Sequence, residues 1–277
     1  MKETAPFLPA DLDELDHRIL SRGRAVMSMQ EIHDSGNTAI DVIGLRHDCD
    51  AGHSLATAVK MARWEQERGY RSTYYILHTS PYWHYPNFRE MLDDIAECGH
   101  EIGIHADALA EALKTGGDPD VILLEAITEL RSYGFPVTGV AGHGNPICNR
   151  DAGPGEGSFA NDEQFVECAR PKEGAPDRTI TRGSVSLKLR PRPLADFGLQ
   201  YEALVLGLPY PFRCSDSGGK WLNPGFEETV TRWDEMLTAS PYLRAKMRRT
   251  NPHLLRPLHL LIHPDWWSQA FQEAVAA

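Results

Sequence analysis

Four short apolar runs in this chain each end in ionisable residues, and that repeated junction narrows the folds open to it. Ala39 to Leu45 closes in Arg46-His47-Asp48-Cys49-Asp50, and Glu101-Ile102-Gly103-Ile104 closes in His105-Ala106-Asp107. Ala141-Gly142 is followed by His143-Gly144-Asn145-Pro146, and Leu260-Leu261-Ile262 by His263-Pro264-Asp265-Trp266-Trp267. Charge at the end of a buried strand is costly to hold unless a metal ion or a positive partner neutralises it.

Between these runs the apolar spacing becomes helical: Leu55, Ala58, Val59 and Ala62 before Gly69, then Phe88, Met91, Leu92, Ile95 and Ala96 before Gly99, then Leu123, Ile127 and Leu130. The spacing predicts strands over 39–46, 72–78, 101–105, 137–142 and 258–263. Helices are expected over 10–22, 26–33 and 226–237, with a closing helix from Trp267 to Ala274, and 184–189 and 210–214 are candidates for further strands. Strand–helix alternation implies parallel strands with right-handed crossovers. Active sites in such folds collect at the carboxyl ends of strands, where all four polar junctions fall. A glycine- and proline-rich stretch, 147–183, reads as a long loop region. No linker divides the chain, so a single domain over 1–277 is expected.

Composition excludes several function classes. The 277 residues are 42% hydrophobic, which rules out a disordered chain. A formal charge of −11 argues against general nucleic-acid or anionic-membrane binding. No apolar run approaches the ~20 residues needed to span a bilayer. Five scattered cysteines with no Cys-x-x-Cys pair read as free thiols. Together with an acidic, helix-like start in place of a signal peptide, they give a cytoplasmic expectation.

Each polar cluster admits a chemical and a structural reading. Asp48 and Asp50 suit a metal ligand beside a general base, or Asp48 pairs with Arg46 while Asp50 caps the helix starting near His53. His105 is a ligand or a hydrogen-bonded structural histidine, and Asp107 either orients it through the second ring nitrogen or caps the next helix. His143, flanked by glycines, is a ligand or an exposed turn residue. His263 against tryptophan suits a general acid. Trp266 and Trp267 form a sugar platform or anchor the core. The basic run Arg244, Lys246, Arg248, Arg249 and Arg256 reads first as a solvated helix face and second as a handle for an anionic substrate. Ser215-Asp216-Ser217-Gly218-Gly219-Lys220-Trp221 lacks phosphate-loop spacing, and no Gly-x-Ser-x-Gly or His-Glu-x-x-His motif occurs.

Taken in order, Leu45 to Asp50, Gly99 to Asp107, His143 to Pro146, Ser215 to Trp221 and Ile262 to Trp267 resemble the polysaccharide deacetylase superfamily, the NodB-homology group of carbohydrate esterases. The likeness is to its cytoplasmic branch. It implies an α/β fold, a distorted (β/α) barrel of about seven parallel strands, and one divalent metal, zinc before others. It also implies removal of an N-acetyl group from a sugar or glycan precursor. By position, Asp48 would be the general base, Asp50 and His105 metal ligands, and His263 the acid that protonates the leaving amine. Arg46, Asn145, Asp216 and Trp266 are taken as substrate contacts, with backbone N–H groups near Asn145 holding the oxyanion. The family's second ligand histidine falls at Leu109, which cannot ligate, so His143 is expected to complete the site, with Asp107 next. The family's arginine-containing fourth-strand segment is replaced by Gly142-His143-Gly144. Two other functions fit the same residues: a hydrolase of a non-sugar amide, and a non-catalytic carbohydrate- or metabolite-binding relative that has lost its metal.

Overall fold

A computed structural model describes residues 7–36, 39–149, 161–167, 178–203, 212–216, 226–251 and 255–271. Chain contacts divide it into two compact units, one of Met1–Tyr74, His84–Glu101 and Pro209–Ala277, the other of Tyr75–Trp83 and Ile102–Leu208. The strands are β1 Ala25–Met27, β2 Val42–Cys49, β3 Thr73–Leu77, β4 Glu101–Ala106, β5 Gly139–Gly142, β6 Arg178–Arg182, β7 Val185–Leu189, β8 Tyr201–Glu202, β9 Arg213–Ser215 and β10 Leu258–Ile262. The helices are α1 Pro9–Arg18, α2 Met29–Asp34, α3 Ser54–Glu67, α4 Phe88–Glu97, α5 Ala108–Thr115, α6 Pro119–Ser132, α7 Pro146–Asn149, α8 Phe226–Thr238 and α9 Pro241–Thr250.

The main sheet runs β8-β5-β4-β3-β2-β10-β9, with β1 also paired to β2. The fold is α/β, a parallel seven-strand sheet with helices around it, of the distorted (β/α) barrel type. β1 and β10 both lie parallel to β2, and β10 pairs in turn with β9. β5 lies parallel to β4 and β8, while β6 and β7 form a separate antiparallel hairpin. β2, β3 and β10 are buried at every position, as strands covered on both faces must be.

Local chemistry explains most boundaries. Ser28 caps α2 by accepting from Glu31 N, while the Glu31 carboxylate accepts from Ser28 N. That reciprocal cap starts the helix at Met29, so Val26 and Met27, expected in a helix, belong to β1. Asp118 accepts from Asp120 N with Pro119 at the first helical position, which sets the start of α6. The expected 39–46 strand is shifted: it runs 42–49 and takes Arg46, His47, Asp48 and Cys49 into the sheet. Within the expected loop region 147–183 the described residues include α7, a short turn at Asp162–Gln164 and β6. Of the closing helix from Trp267, only a 3₁₀ turn at Pro264–Trp267 is described, and Gln272 onward lies outside the described residues.

In the first unit the core gathers Leu12, Leu15, Ile43, Leu45, Trp233, Leu258, Leu260, Ile262, Trp267 and Phe271. Trp233 is fully buried and its indole N–H donates to the Ile40 carbonyl at 2.9 Å. In the second unit, bare glycines make room for aromatic rings. A Cβ on Gly139 would stand 2.2 Å from the Tyr201 ring, and one on Gly103 would stand 2.6 Å from the Tyr75 ring. The hydroxyls of those two tyrosines lie 3.4 Å apart in the interior. Gly139→Ala is therefore expected to lower stability by about 1–3 kcal/mol through overpacking. Chemical denaturation would measure it, and paired Gly139→Ala/Tyr201→Phe, which keeps the ring, should recover little.

Candidate metal centre and proton-transfer groups

In the first unit, chemistry gathers beyond β2 and β10. Alternation along β2 sends Arg46 and Asp48 to one face and His47 to the other. Arg46 Nη2 donates to Asp48 Oδ2 at 2.9 Å, with both side chains almost fully buried. This is the ion pair raised as the structural reading of Asp48. Asp50 does not cap α3, whose N-cap residue is His53. Asp265, two residues past His263, accepts from Ala51 N at 3.2 Å, and burial together with the nearby charge of Asp50 raises its pKa.

His263 leaves β10 onto a carboxylate. Its ring Nδ1 donates to Asp216 Oδ1 at 2.6 Å, its backbone N–H donates to the same carboxylate, and Trp267 Nε1 donates to Oδ2 at 2.9 Å. Burial acts to lower the His263 pKa. The Asp216 hydrogen bond and charge, with the charges of Asp48 and Asp50, outweigh it and raise the pKa to about 9. Expected as a substrate contact, Asp216 is instead fully buried with its oxygens engaged by His263 and Trp267, and so serves to position the imidazole. Arg46, also expected to touch substrate, is likewise buried against Asp48. Trp266 is half-buried, packs against the first unit's core and accepts from Phe7 N through its carbonyl.

On the other face of β2, His47 enters a buried polar cluster. Its Nε2 donates to Glu65 Oε1 at 2.7 Å, while Ser72 Oγ and Tyr74 OH donate to Glu65 Oε2 at 2.7 and 3.0 Å. His100 closes it, donating from Nε2 to the Ala62 carbonyl and accepting from Ser72 N through Nδ1. Burial alone would raise the Glu65 pKa, but the charge and hydrogen bond of His47, then His100 and Ser72, hold it below its ordinary value.

The second unit supplies a histidine pair. His105 ends β4, 2% exposed, and its Nδ1 lies 2.9 Å from the Ala141 carbonyl, which can only accept. The proton therefore sits on Nδ1, and Nε2 carries the lone pair. That Nε2 faces His143 Nδ1 at 3.2 Å, and His143 is itself placed by its backbone N–H donating to Ala106 O. Gly142 is bare because a Cβ there would meet the buried Asp162 carboxylate at 1.9 Å.

Asp107 does not orient His105. Its carboxylate accepts from Thr79 Oγ1, Asn145 Nδ2 and Asn161 Nδ2, and its backbone N–H donates to His78 Nε2. Nor is the Asn145 backbone N–H aimed at an oxyanion, since it closes the turn onto the His143 carbonyl at 3.0 Å. Leu109 is fully buried among Ala110, Leu113, Ile180 and Leu189, so that position is closed to any ligand.

Asp50, His105 and His143 each offer one ligand atom, all within 4.8 Å of one another, a group that could hold a metal ion. The donor set fits the role: one carboxylate oxygen and two imidazole nitrogens, one of them held in its lone-pair form by a carbonyl, as in metal sites generally. His78, Asn161 and Asp265 were not singled out from sequence. His78 follows the apolar run Thr73–Leu77 and so carries the same strand-end signature as the other histidines. Asn161 bridges Asp107, the His143 carbonyl and Leu109 N, and no local pattern announces it. No protein-family model and no curated protein matches the chain.

Because Glu65 has a depressed pKa, its stabilising contribution is complete above the ordinary value of 4.5 and is lost as pH falls through the lower folded-state value. Glu65→Ala should cost about 3–5 kcal/mol, since it strands buried His47 and removes the acceptor for Ser72 and Tyr74. Urea unfolding against pH would show it: wild type should lose stability on acidification below 4.5 more steeply than the variant.

Proposed function

We propose that this protein is a metal-dependent amide hydrolase that removes an N-acetyl group from a sugar or glycan precursor. The observation that carries the reading is the His105–His143 pair, whose ring nitrogens face each other at 3.2 Å within the same 4.8 Å group as the Asp50 carboxylate. These three residues would hold one divalent ion, and zinc suits such a nitrogen–oxygen set. The ion, when bound, supplies a Lewis acid that polarises a carbonyl and makes water more acidic. The histidine the family places at position 109 is supplied here by His143, from the loop after β5.

The proton-transfer groups follow from their surroundings. Asp48, held by Arg46 at 2.9 Å, is the base of this reading and takes a proton from water as the oxygen bonds to the acetyl carbon. His263, protonated up to about pH 9, donates to the amide nitrogen as the C–N bond breaks, releasing acetate and a free amine. Asp216 holds the imidazole in the orientation that leaves Nε2 for donation, in the manner of a carboxylate orienting a catalytic histidine. Cys49, Cys98, Cys148 and Cys214 are free thiols, which supports a reducing compartment and hence a cytoplasmic precursor as substrate. No described helix is long and apolar enough to cross a membrane.

Metal analysis and acetate release from N-acetylated amino sugars test the roles. Purified without chelator, the protein should carry close to one divalent ion per chain, and Asp50→Ala or His105→Ala should lose both ion and turnover. His263→Ala should keep its metal and lose about 100-fold or more in rate. A metal-free wild type that is also inert with added zinc would leave the non-catalytic binding reading in its place.

The pH profile gives a separate check. A raised His263 pKa means that the competent, protonated acid persists to about pH 9, and kcat/KM should fall above that limb. Asp216→Asn removes the charge that raises the pKa and weakens the hydrogen bond while burial still lowers it, so the basic limb should move to lower pH. An unmoved limb would separate His263 from the proton donation.

A further inference from the structure

At the amino ends of β2 and β10 the first unit contains a groove of about 700 Å³ lined by Ile40, Asp41, Arg244, Arg248, Arg249 and Leu255. The volume lies within the range of small-ligand sites. β2 is eight residues long, so its ends, Val42 beside Ile40 and Cys49 beside Asp50, lie about 23 Å apart. A ligand in the groove therefore has no part in the chemistry proposed for Asp50 and His263, and the inference stands whether or not that chemistry does.

The groove concentrates positive charge on an acidic chain. Acidic residues outnumber basic ones, 39 to 28, and many of the surface arginines elsewhere lie beside carboxylates. Arg18 pairs with Glu14 and Glu227, Arg63 with Asp94, Arg71 with Glu31 and Arg192 with Asp196. Arg244, Arg248 and Arg249 make no ion pair or side-chain hydrogen bond among the described residues. Arg244 and Arg248 stand one turn apart on α9, an arrangement of like charges that weakens a helix unless an anion lies between them. Asp41, the one carboxylate of the lining among the described residues, already accepts from Arg24 Nε at 2.8 Å. None of the α9 side chains is buried, so the helix does not use this face to close the core. Buried Ile40 and Leu255 give the groove an apolar floor beneath the guanidinium groups.

We propose that this groove binds a phosphate-bearing ligand, either a small organic phosphate or an anionic lipid headgroup, through Arg244, Arg248 and Arg249. Guanidinium forks match phosphate oxygens in pairs, and one face of a helix presenting several of them suits a diphosphate or a clustered headgroup. The apolar floor would take the organic part of the ligand.

The test uses the full chain with inorganic pyrophosphate in titration calorimetry, and with sedimenting vesicles of phosphatidylcholine alone or mixed with phosphatidylglycerol. Wild type should bind pyrophosphate, or the mixed vesicles but not phosphatidylcholine alone, and binding should weaken at high salt. Arg244→Glu/Arg248→Glu should lower affinity about tenfold or more, while Arg244→Lys/Arg248→Lys should retain part of it. Single Arg248→Gln provides a milder variant should the double change disturb α9. Pyrophosphate binding points to a free phosphate, and capture by mixed vesicles alone points to a headgroup. Binding must persist in Asp50→Ala, which separates the groove from pyrophosphate attracted to a metal. Failure to bind either probe, or equal binding by wild type and the charge-reversed protein, overturns the proposal.

Discussion

The structure turns on how β2 carries charge through a fully buried strand. Burial of Arg46, His47 and Asp48 would be prohibitive if any stood alone, and each is matched within a few ångströms. Strand alternation makes the matching possible. Arg46 and Asp48 share a face and neutralise one another, whereas His47 faces Glu65 on α3. One short run thus anchors a structural polar cluster on one side of the sheet and leads to candidate chemistry on the other. The two aspartates also differ in kind. Asp48 is fixed by a guanidinium, and Asp50, just beyond the strand, stands in the group able to take an ion.

The same economy governs the histidines. His263 and His105 both end parallel strands, yet their partners give them opposite proton states. A carboxylate on Nδ1 favours the imidazolium of His263, and a neutral carbonyl on Nδ1 leaves His105 with a lone pair on Nε2. Acid and ligand are thereby assigned by the first hydrogen bond each ring makes, before any substrate or ion is considered. Asp107, adjacent in sequence to this chemistry, takes no direct part in it. Its oxygens are saturated by Thr79, Asn145 and Asn161, which makes it the fastener of the loop that carries His143.

Much of this was legible in sequence. The alternation of apolar runs fixed the parallel α/β class, and polar residues at run ends marked Asp50, His105, His143 and His263 as candidates. Leu109 was readable as a position that cannot ligate, and its place in a small core beside Ile180 and Leu189 supplies the physical reason. Boundaries were less legible. Val26 and Met27 follow helical spacing, but pairing with β2 and the Ser28 cap draw them into a strand. What sequence could not supply was partners rather than positions. Asp216 and Arg46 look like polar substrate contacts until His263 and Asp48 are seen beside them, 47 and two residues away in sequence.

By itself, then, the sequence determined the class of fold and which residues stand at strand ends, because both depend on periodicity that each segment carries locally. Tertiary structure decided which nitrogen of each histidine bears the proton, which carboxylate lies against an arginine, and that α9 holds three guanidinium groups with no acidic partner among the described residues. Those outcomes depend on contacts between segments far apart in the chain. Proton placement is set by whichever atom lies within about 3 Å of the ring, and no local pattern encodes that neighbour.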